Sequence, residues 1–203
     1  MRKLWGVLVF LLSVGSAQAM TLTADADDFT AGTDISNAFA GLTLSFEGST
    51  FDGTNDGIIY SVTEQSGLFA STGTRVFGTS DASNPQVFDG ISTAVFRVDF
   101  SDLATSISLD ALGDNGSDFA QLNAYTAGDV LVGTYATGEL MSGNHETMTI
   151  NGADIAYVIA SGVGGDAVGF DNLVAQVVPV PAAAWFFVSA LGILAARRRR
   201  IRH

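Results

Sequence analysis

The residues of this 203-residue chain with the most chemical potential are its carboxylates. Asp110, Asp114, Asn115 and Asp118 bring four oxygen-bearing side chains close together in sequence. Calcium takes about six to eight oxygen ligands from such side chains, main-chain carbonyls and water, so these four are candidate calcium ligands. Asp52-Gly53-Thr54-Asn55-Asp56-Gly57 imitates the opening of an EF-hand loop, with Thr54 where an acid or amide is usual. Its closing acid falls one residue late, at Glu64. A third group, Gly164-Gly165-Asp166 with Asp171-Asn172, has the composition of a β-roll calcium repeat but occurs once. Asp, Asn and Gly also build turns with no metal at all, which is the competing reading of all three groups.

Nucleophilic catalysis has little to work with. His145 is the only histidine between the two chain ends, and Ser142-Gly143-Asn144-His145-Glu146 reads as a turn. The chain has no G-x-S-x-G elbow, no H-E-x-x-H pair and no phosphate-cradling loop followed by lysine. Cysteine is absent, which excludes disulfides, thiol nucleophiles and thiolate metal sites. A glycan hydrolase stays compatible, because it needs only two acids at a set separation. Tyr60, Tyr125 and Tyr135 are candidates for stacking on a sugar, with core packing as the alternative for each.

The elements that must position these groups are framed by two charged ends. Of nine Lys and Arg, two (Arg2, Lys3) stand at the amino end and five (Arg197 to Arg200, Arg202) at the carboxyl end. Only Arg75 and Arg97 remain against 21 acids, so the central body has a net charge of −19. Such a surface repels nucleic acid and anionic lipid, which excludes both as partners of the body. It suits an exported soluble domain, or one that binds divalent cations.

Arg2 and Lys3, the apolar run Leu4 to Val14 and the small residues Ala17 and Ala19 form a secretory signal peptide, to be cut by signal peptidase after Ala19. At the other end, Val178-Pro179-Val180-Pro181-Ala182 precedes an uncharged run to Ala196 and then the stop Arg197-Arg198-Arg199-Arg200. Fifteen uncharged residues form a marginal hydrophobic anchor helix, since spanning takes about 20. The arginines hold to the cytoplasmic side, leaving the body on the outer face of the inner membrane. Pro179 and Pro181 keep the preceding strip extended, where a membrane protease or transpeptidase can grip it. The expected organisation is residues 1–19 signal peptide, 20–177 secreted domain and 178–203 sorting signal.

Within the body, hydrophobicity alternates with period two. Ala94, Phe96, Val98 and Phe100 form one stripe; Ile107, Leu109 and Ala111 another; Ala120, Leu122 and Ala124 a third. Leu42, Leu44 and Phe46, then Met148 and Ile150, then Ile155, Tyr157 and Ile159 repeat the pattern. Glycine breaks separate the runs, and no window sustains a 3.6-residue stripe. Half-buried antiparallel strands fit, packed as a jelly-roll-like antiparallel β-sandwich of the all-β class.

The carboxyl end resembles the PEP-CTERM class of sorting signals in its VPxPA variant, at Val178, Pro179, Pro181, Ala182, Ala183, Ala184, Trp185 and Phe186, followed by the arginine stop. It departs at Val180, where many members carry glutamate, and that leaves the exosortase subtype open. The resemblance implies an exosortase-type membrane transpeptidase as partner, transient inner-membrane insertion, and transfer to the cell surface or extracellular matrix of a Gram-negative-type bacterium. The body is similar to the ectodomains that precede such tails at Phe29 to Asp34, Asn37 to Leu44, Leu122 to Tyr125, Val130 to Gly133 and Phe170 to Leu173. A non-enzymatic structural or adhesive role follows, with exopolysaccharide as candidate partner and calcium as candidate cofactor. The alternatives are a secreted glycan hydrolase using two carboxylates and a permanently anchored periplasm-facing protein.

Overall fold

A computed structural model of the chain describes residues 18–48, 56–64, 68–79, 88–89, 94–114 and 116–178. Ala17, Pro179, Val180, Pro181, Ala182 and Arg197 to Arg200 lie outside the described residues, as do Asn115 and most of the EF-hand-like segment. Among the described residues no helix is long and apolar enough to cross a membrane.

Among the described residues ten strands follow in order: β1 Met20–Ala24, β2 Leu42–Glu47, β3 Tyr60–Thr63, β4 Arg75–Gly78, β5 Phe88–Asp89, β6 Val95–Gly113, β7 Ala120–Tyr125, β8 Leu131–Ala136, β9 His145–Gly162 and β10 Ala167–Val177. One short 3-10 turn, Ala26–Asp28, is capped by the Asp25 side chain accepting from Asp27 N. Every strand pair is antiparallel. The order is β3-β4-β10-β6-β9-β7-β8, with β1 and β5 added to β10 and β2 to β6. The all-β antiparallel expectation therefore holds, with a difference in how the layers join. The two layers are one continuous hydrogen-bonded sheet, because β6 and β9 run through both.

Phe96 shows that this sheet doubles over. Ala111 follows it by 15 residues in β6, which would span about 50 Å if straight. Yet Phe170, the cross-strand partner of Ala111, stacks on Phe96 with ring centroids 5.8 Å apart, and Phe77 stacks there at 5.2 Å. The bend falls where the β6–β9 register slips, around Ala104 and Ile155. Strands that change layers through such irregularities make the corners of folded-over sheets. One layer is then β2, the first half of β6, the second half of β9, β7 and β8. Opposite it lie β10, β1, β3–β4, β5 and the remaining halves of β6 and β9.

The inward stripes read from sequence are buried: Leu42, Leu44, Phe46, Phe96, Val98, Ile107, Leu109, Ala120, Leu122, Ala124, Met148 and Ile150. Each large apolar side chain so removed from water stabilises the fold by about 2 kcal/mol. One stripe needs correction. Ile155 is buried at the bend, but Tyr157 and Ile159 lie opposite the outward positions Asp99 and Arg97, Tyr157 being buried under Tyr125 and Arg97 rather than in the core, while Val158 and Ala160 take the core side. Between the pairs Asp99–Tyr157 and Ala104–Ile155 β6 runs on by five residues and β9 by two, so β6 carries the extra residues at this slip, and a strand's facing follows register rather than apolar content.

Candidate functional site

On the outside of the first layer, a band of side chains crosses five strands. Asp99 on β6 lies between Thr43 of β2 and Tyr157 of β9; Tyr157 is opposite Tyr125 of β7, and Tyr125 opposite Leu131 of β8. The next row runs Ser45, Arg97, Ile159, Asn123 and Thr134. Their in-sequence neighbours Val98, Val158 and Ala124 belong to the core, so the alternation of the strands turns this set outward. Four interstrand steps of roughly 4.8 Å make the band about 19 Å long.

Its centre is a three-layer stack. The rings of Tyr125 and Tyr157 lie nearly parallel, 13° apart with centroids at 5.0 Å. On the β6 side the Arg97 guanidinium sits over the Tyr157 ring at 4.1 Å. A cation over an aromatic face is attracted by the ring quadrupole. Arg97 is locked there by carboxylates: Nε donates to Asp99 Oδ2 at 2.8 Å, Nη2 to Asp99 Oδ1 at 2.7 Å, and Nη1 to Glu47 Oε1 at 2.7 Å. The fork to Asp99 is bidentate, the geometry in which arginine pairs most strongly. These hydrogen bonds, Asp99 foremost, raise the guanidinium pKa further. Tyr157 donates its hydroxyl to Asp129 Oδ1 at 2.8 Å, and burial together with that carboxylate raises its pKa. Asp129 sits at φ 59° in the tight β7–β8 turn, a left-handed position that Asp tolerates. Val130 and Leu131 beside it are exposed.

Of the three tyrosines singled out in the sequence, Tyr125 joins this band. Tyr60 packs against a small second cluster of Val62, Leu68, Val76 and Leu112. Tyr135 packs against the main core and donates to Glu146 Oε1 at 2.7 Å, which raises its pKa. Arg97 and Tyr157 were not nominated from sequence. The available signal was that Arg97 is one of only two cations in an acidic body, set between Val95 and Asp99 on an alternating strand.

The acidic groups go to different places. Asp110 is buried in the outer face of the second layer, accepting from Thr147 Oγ1 at 2.5 Å and Asn172 Nδ2 at 3.1 Å. Asp118 accepts from Asp114 N at 2.8 Å, closing the loop between β6 and β7. Asp166 accepts from Phe119 N, while Asp171, fully buried at the β10 bulge, accepts from Ser71 and Thr72. The Gly164-to-Asn172 group is therefore dispersed over separate contacts. Among the described residues no set of three or more His, Asp or Glu is arranged to hold a metal ion. His145 is exposed and opens β9, so the turn ends one residue before it. Of the two terminal motifs, Ala19 precedes β1, and Val178 N donates to Leu103 O at 3.1 Å directly after β10.

No protein-family model matches the chain, and no curated protein matches it. Among solved structures, the chain is similar to a family 6 carbohydrate-binding module (10% identity, 75% of this chain and 91% of that chain, TM-score 0.29). The module CsCBM6-3 of Clostridium stercorarium, solved with cellobiose, aligns at 13% identity over 75% of this chain and 91% of that one, TM-score 0.30. A family 29 carbohydrate-binding module aligns at 15% identity over 66% and 88%, TM-score 0.31. Scores this low carry neither detailed topology nor function from one protein to another.

Proposed function

We propose that this is an exported, non-enzymatic surface or matrix protein whose β body binds carbohydrate through the band across β2, β6, β9, β7 and β8. One observation carries the reading. An aromatic stack, Tyr125 on Tyr157 on Arg97, stands in the outward face of a sheet and is flanked by carboxylate, amide and hydroxyl groups. Tyr157 is buried between Tyr125 and Arg97, so the half-buried Tyr125 is the ring of the stack that takes the apolar side of a sugar, and neighbouring acceptors take its hydroxyls. A glycan array probed with the protein and with Tyr125→Ala tests it. Binding that depends on Tyr125 supports the reading, turnover of a bound glycan replaces it with hydrolysis by two carboxylates, and no binding at all removes it.

Delivery belongs to the same proposal. The signal peptide sends the chain out, the marginal anchor holds it in the inner membrane, and an exosortase-type transpeptidase acting at the Val178-Pro179-Val180-Pro181-Ala182 strip releases it. Intact mass of the mature protein from cells with a competent sorting system decides this part. A mass lacking the arginine stop supports it, and a full-length tail means a permanent anchor.

A further inference from the structure

Taking the carbohydrate reading above as its basis, we infer that the band selects uncharged glycans and rejects polyanionic ones such as polyuronates. Charge bookkeeping on the face decides this. Arg97 is its only cation, and three of its N–H groups are already held by Asp99 and Glu47. Its guanidinium face is occupied by the Tyr157 ring. With Asp129 at the Tyr157 hydroxyl, one positive charge is set among three formal negative charges within the band. The other cation of the body, Arg75, lies elsewhere, with Nη1 reaching Asp27 O at 3.4 Å. No lysine lies in the body.

An arginine recruits a carboxylated or sulfated sugar when its donor fork is free. Here Asp99 fills the Nε–Nη2 fork and Glu47 takes one of the Nη1 hydrogens, three of the five N–H groups in all, and these carboxylates are themselves partly exposed, 51% for Glu47 and 40% for Asp99. Their outer lone pairs are hydrogen-bond acceptors turned to solvent, suited to sugar hydroxyls and repelled by sugar carboxylates. Beyond the band, a body of net charge −19 adds long-range repulsion of any polyanion, screened over about 8 Å at physiological salt. Asn123, whose Oδ1 accepts from Thr134 Oγ1 at 2.8 Å, and the exposed Leu131 complete an uncharged end on β7 and β8. A neutral chain laid across the strands meets acceptors at one end, an aromatic stack in the middle and an apolar edge at the other.

The test is affinity electrophoresis of the full chain in non-ionic detergent, through gels holding a neutral polysaccharide (xylan, mannan or mixed-linkage β-glucan) or an anionic one (alginate or polygalacturonate). Retardation is expected in at least one neutral gel and in neither anionic gel, unchanged between about 20 mM and 500 mM salt, since no ion pair with the ligand is involved. Tyr125→Ala, and separately Leu131→Ser at its exposed edge position, should each weaken retardation roughly tenfold. Glu47→Gln frees one donor of Arg97, so it should bring measurable retardation in alginate. Retardation of the unaltered protein by alginate or polygalacturonate, at a strength equal to the neutral polymers, overturns the charge selection while leaving carbohydrate binding in place. Retardation by no polymer, or retardation that both variants leave intact, overturns the carbohydrate reading at this face.

Discussion

Replacing Asp171 tests the physics of the second layer directly. The side chain is fully buried where β10 bulges between Phe170 and Leu173, with Asn172 in the left-handed region at φ 46°. Its Oδ2 accepts from Ser71 N at 3.0 Å, Thr72 N at 3.1 Å, Ser71 Oγ at 2.9 Å and Thr72 Oγ1 at 3.4 Å, so it pins the loop before β4 onto the sheet. Asp171→Ala strands two main-chain N–H donors at about 1–3 kcal/mol each, a loss of roughly 2–6 kcal/mol. Asp171→Asn keeps an acceptor oxygen for those donors and sheds the buried charge, so at pH 7 it should cost at least about 1 kcal/mol less than alanine.

The pH dependence separates the two effects. Burial, above all, raises the Asp171 carboxyl above its ordinary 3.8, and the nearby Asp25 charge adds to this, although the Ser71 and Thr72 hydrogen bonds oppose it. Between 3.8 and the raised folded value, the folded chain holds more protons than the unfolded one. Stability from this group therefore falls as pH rises through that window, and is fully present below 3.8. Urea denaturation followed by circular dichroism, run from neutral pH down to about pH 4, measures it. Relative to Asp171→Asn, the unaltered protein should gain stability on acidification. An alanine variant within about 0.5 kcal/mol of the unaltered protein at pH 7 would refute the pinned loop. An asparagine variant that keeps the unaltered pH slope would refute the raised carboxyl.

Other expectations follow from particular contacts. Phe96→Ala empties the centre of the Phe77–Phe96–Phe170 stack and should cost about 3–5 kcal/mol in the same urea assay. Gly73→Ala should destabilise by roughly 1–3 kcal/mol, because Gly73 sits at φ 52° and a methyl there would lie 2.1 Å from the Asp27 carboxylate carbon. Asp110→Asn should leave any calcium response of the melting temperature unchanged, since both Asp110 oxygens already accept from Thr147 and Asn172. Inserting a short Gly-Ser linker after Val178 should speed loss of the arginine stop in sorting-competent cells if the proposed sorting operates, because Val178 N is still hydrogen-bonded to Leu103 O and the folded body thus reaches the first residue of the proposed strip.

Local pattern made much of the body legible. Apolar residues at every second position wrote the inward stripes of β2, β6 and β7, because successive side chains in any strand must alternate faces. Charge segregation was equally plain, since it depends on composition alone. Acid clustering misled where it was read as proximity. Asp110 and Asp118 are eight residues apart, but one is drawn to the second layer by Thr147 and Asn172 and the other turns inward to close a loop.

Only the tertiary structure assembled the candidate site. Arg97, Tyr125 and Tyr157 come from three strands, and their meeting depends on the register of β6 against β9 and of β9 against β7. That register is set by the slip at Ile155, which sent an apolar-looking stripe outward, and by burial of Phe96 and Val158 on the opposite side. Alternation specifies which residues share a face of one strand. Which strands lie side by side, and which face meets water, is decided by long-range burial that no short stretch of sequence contains.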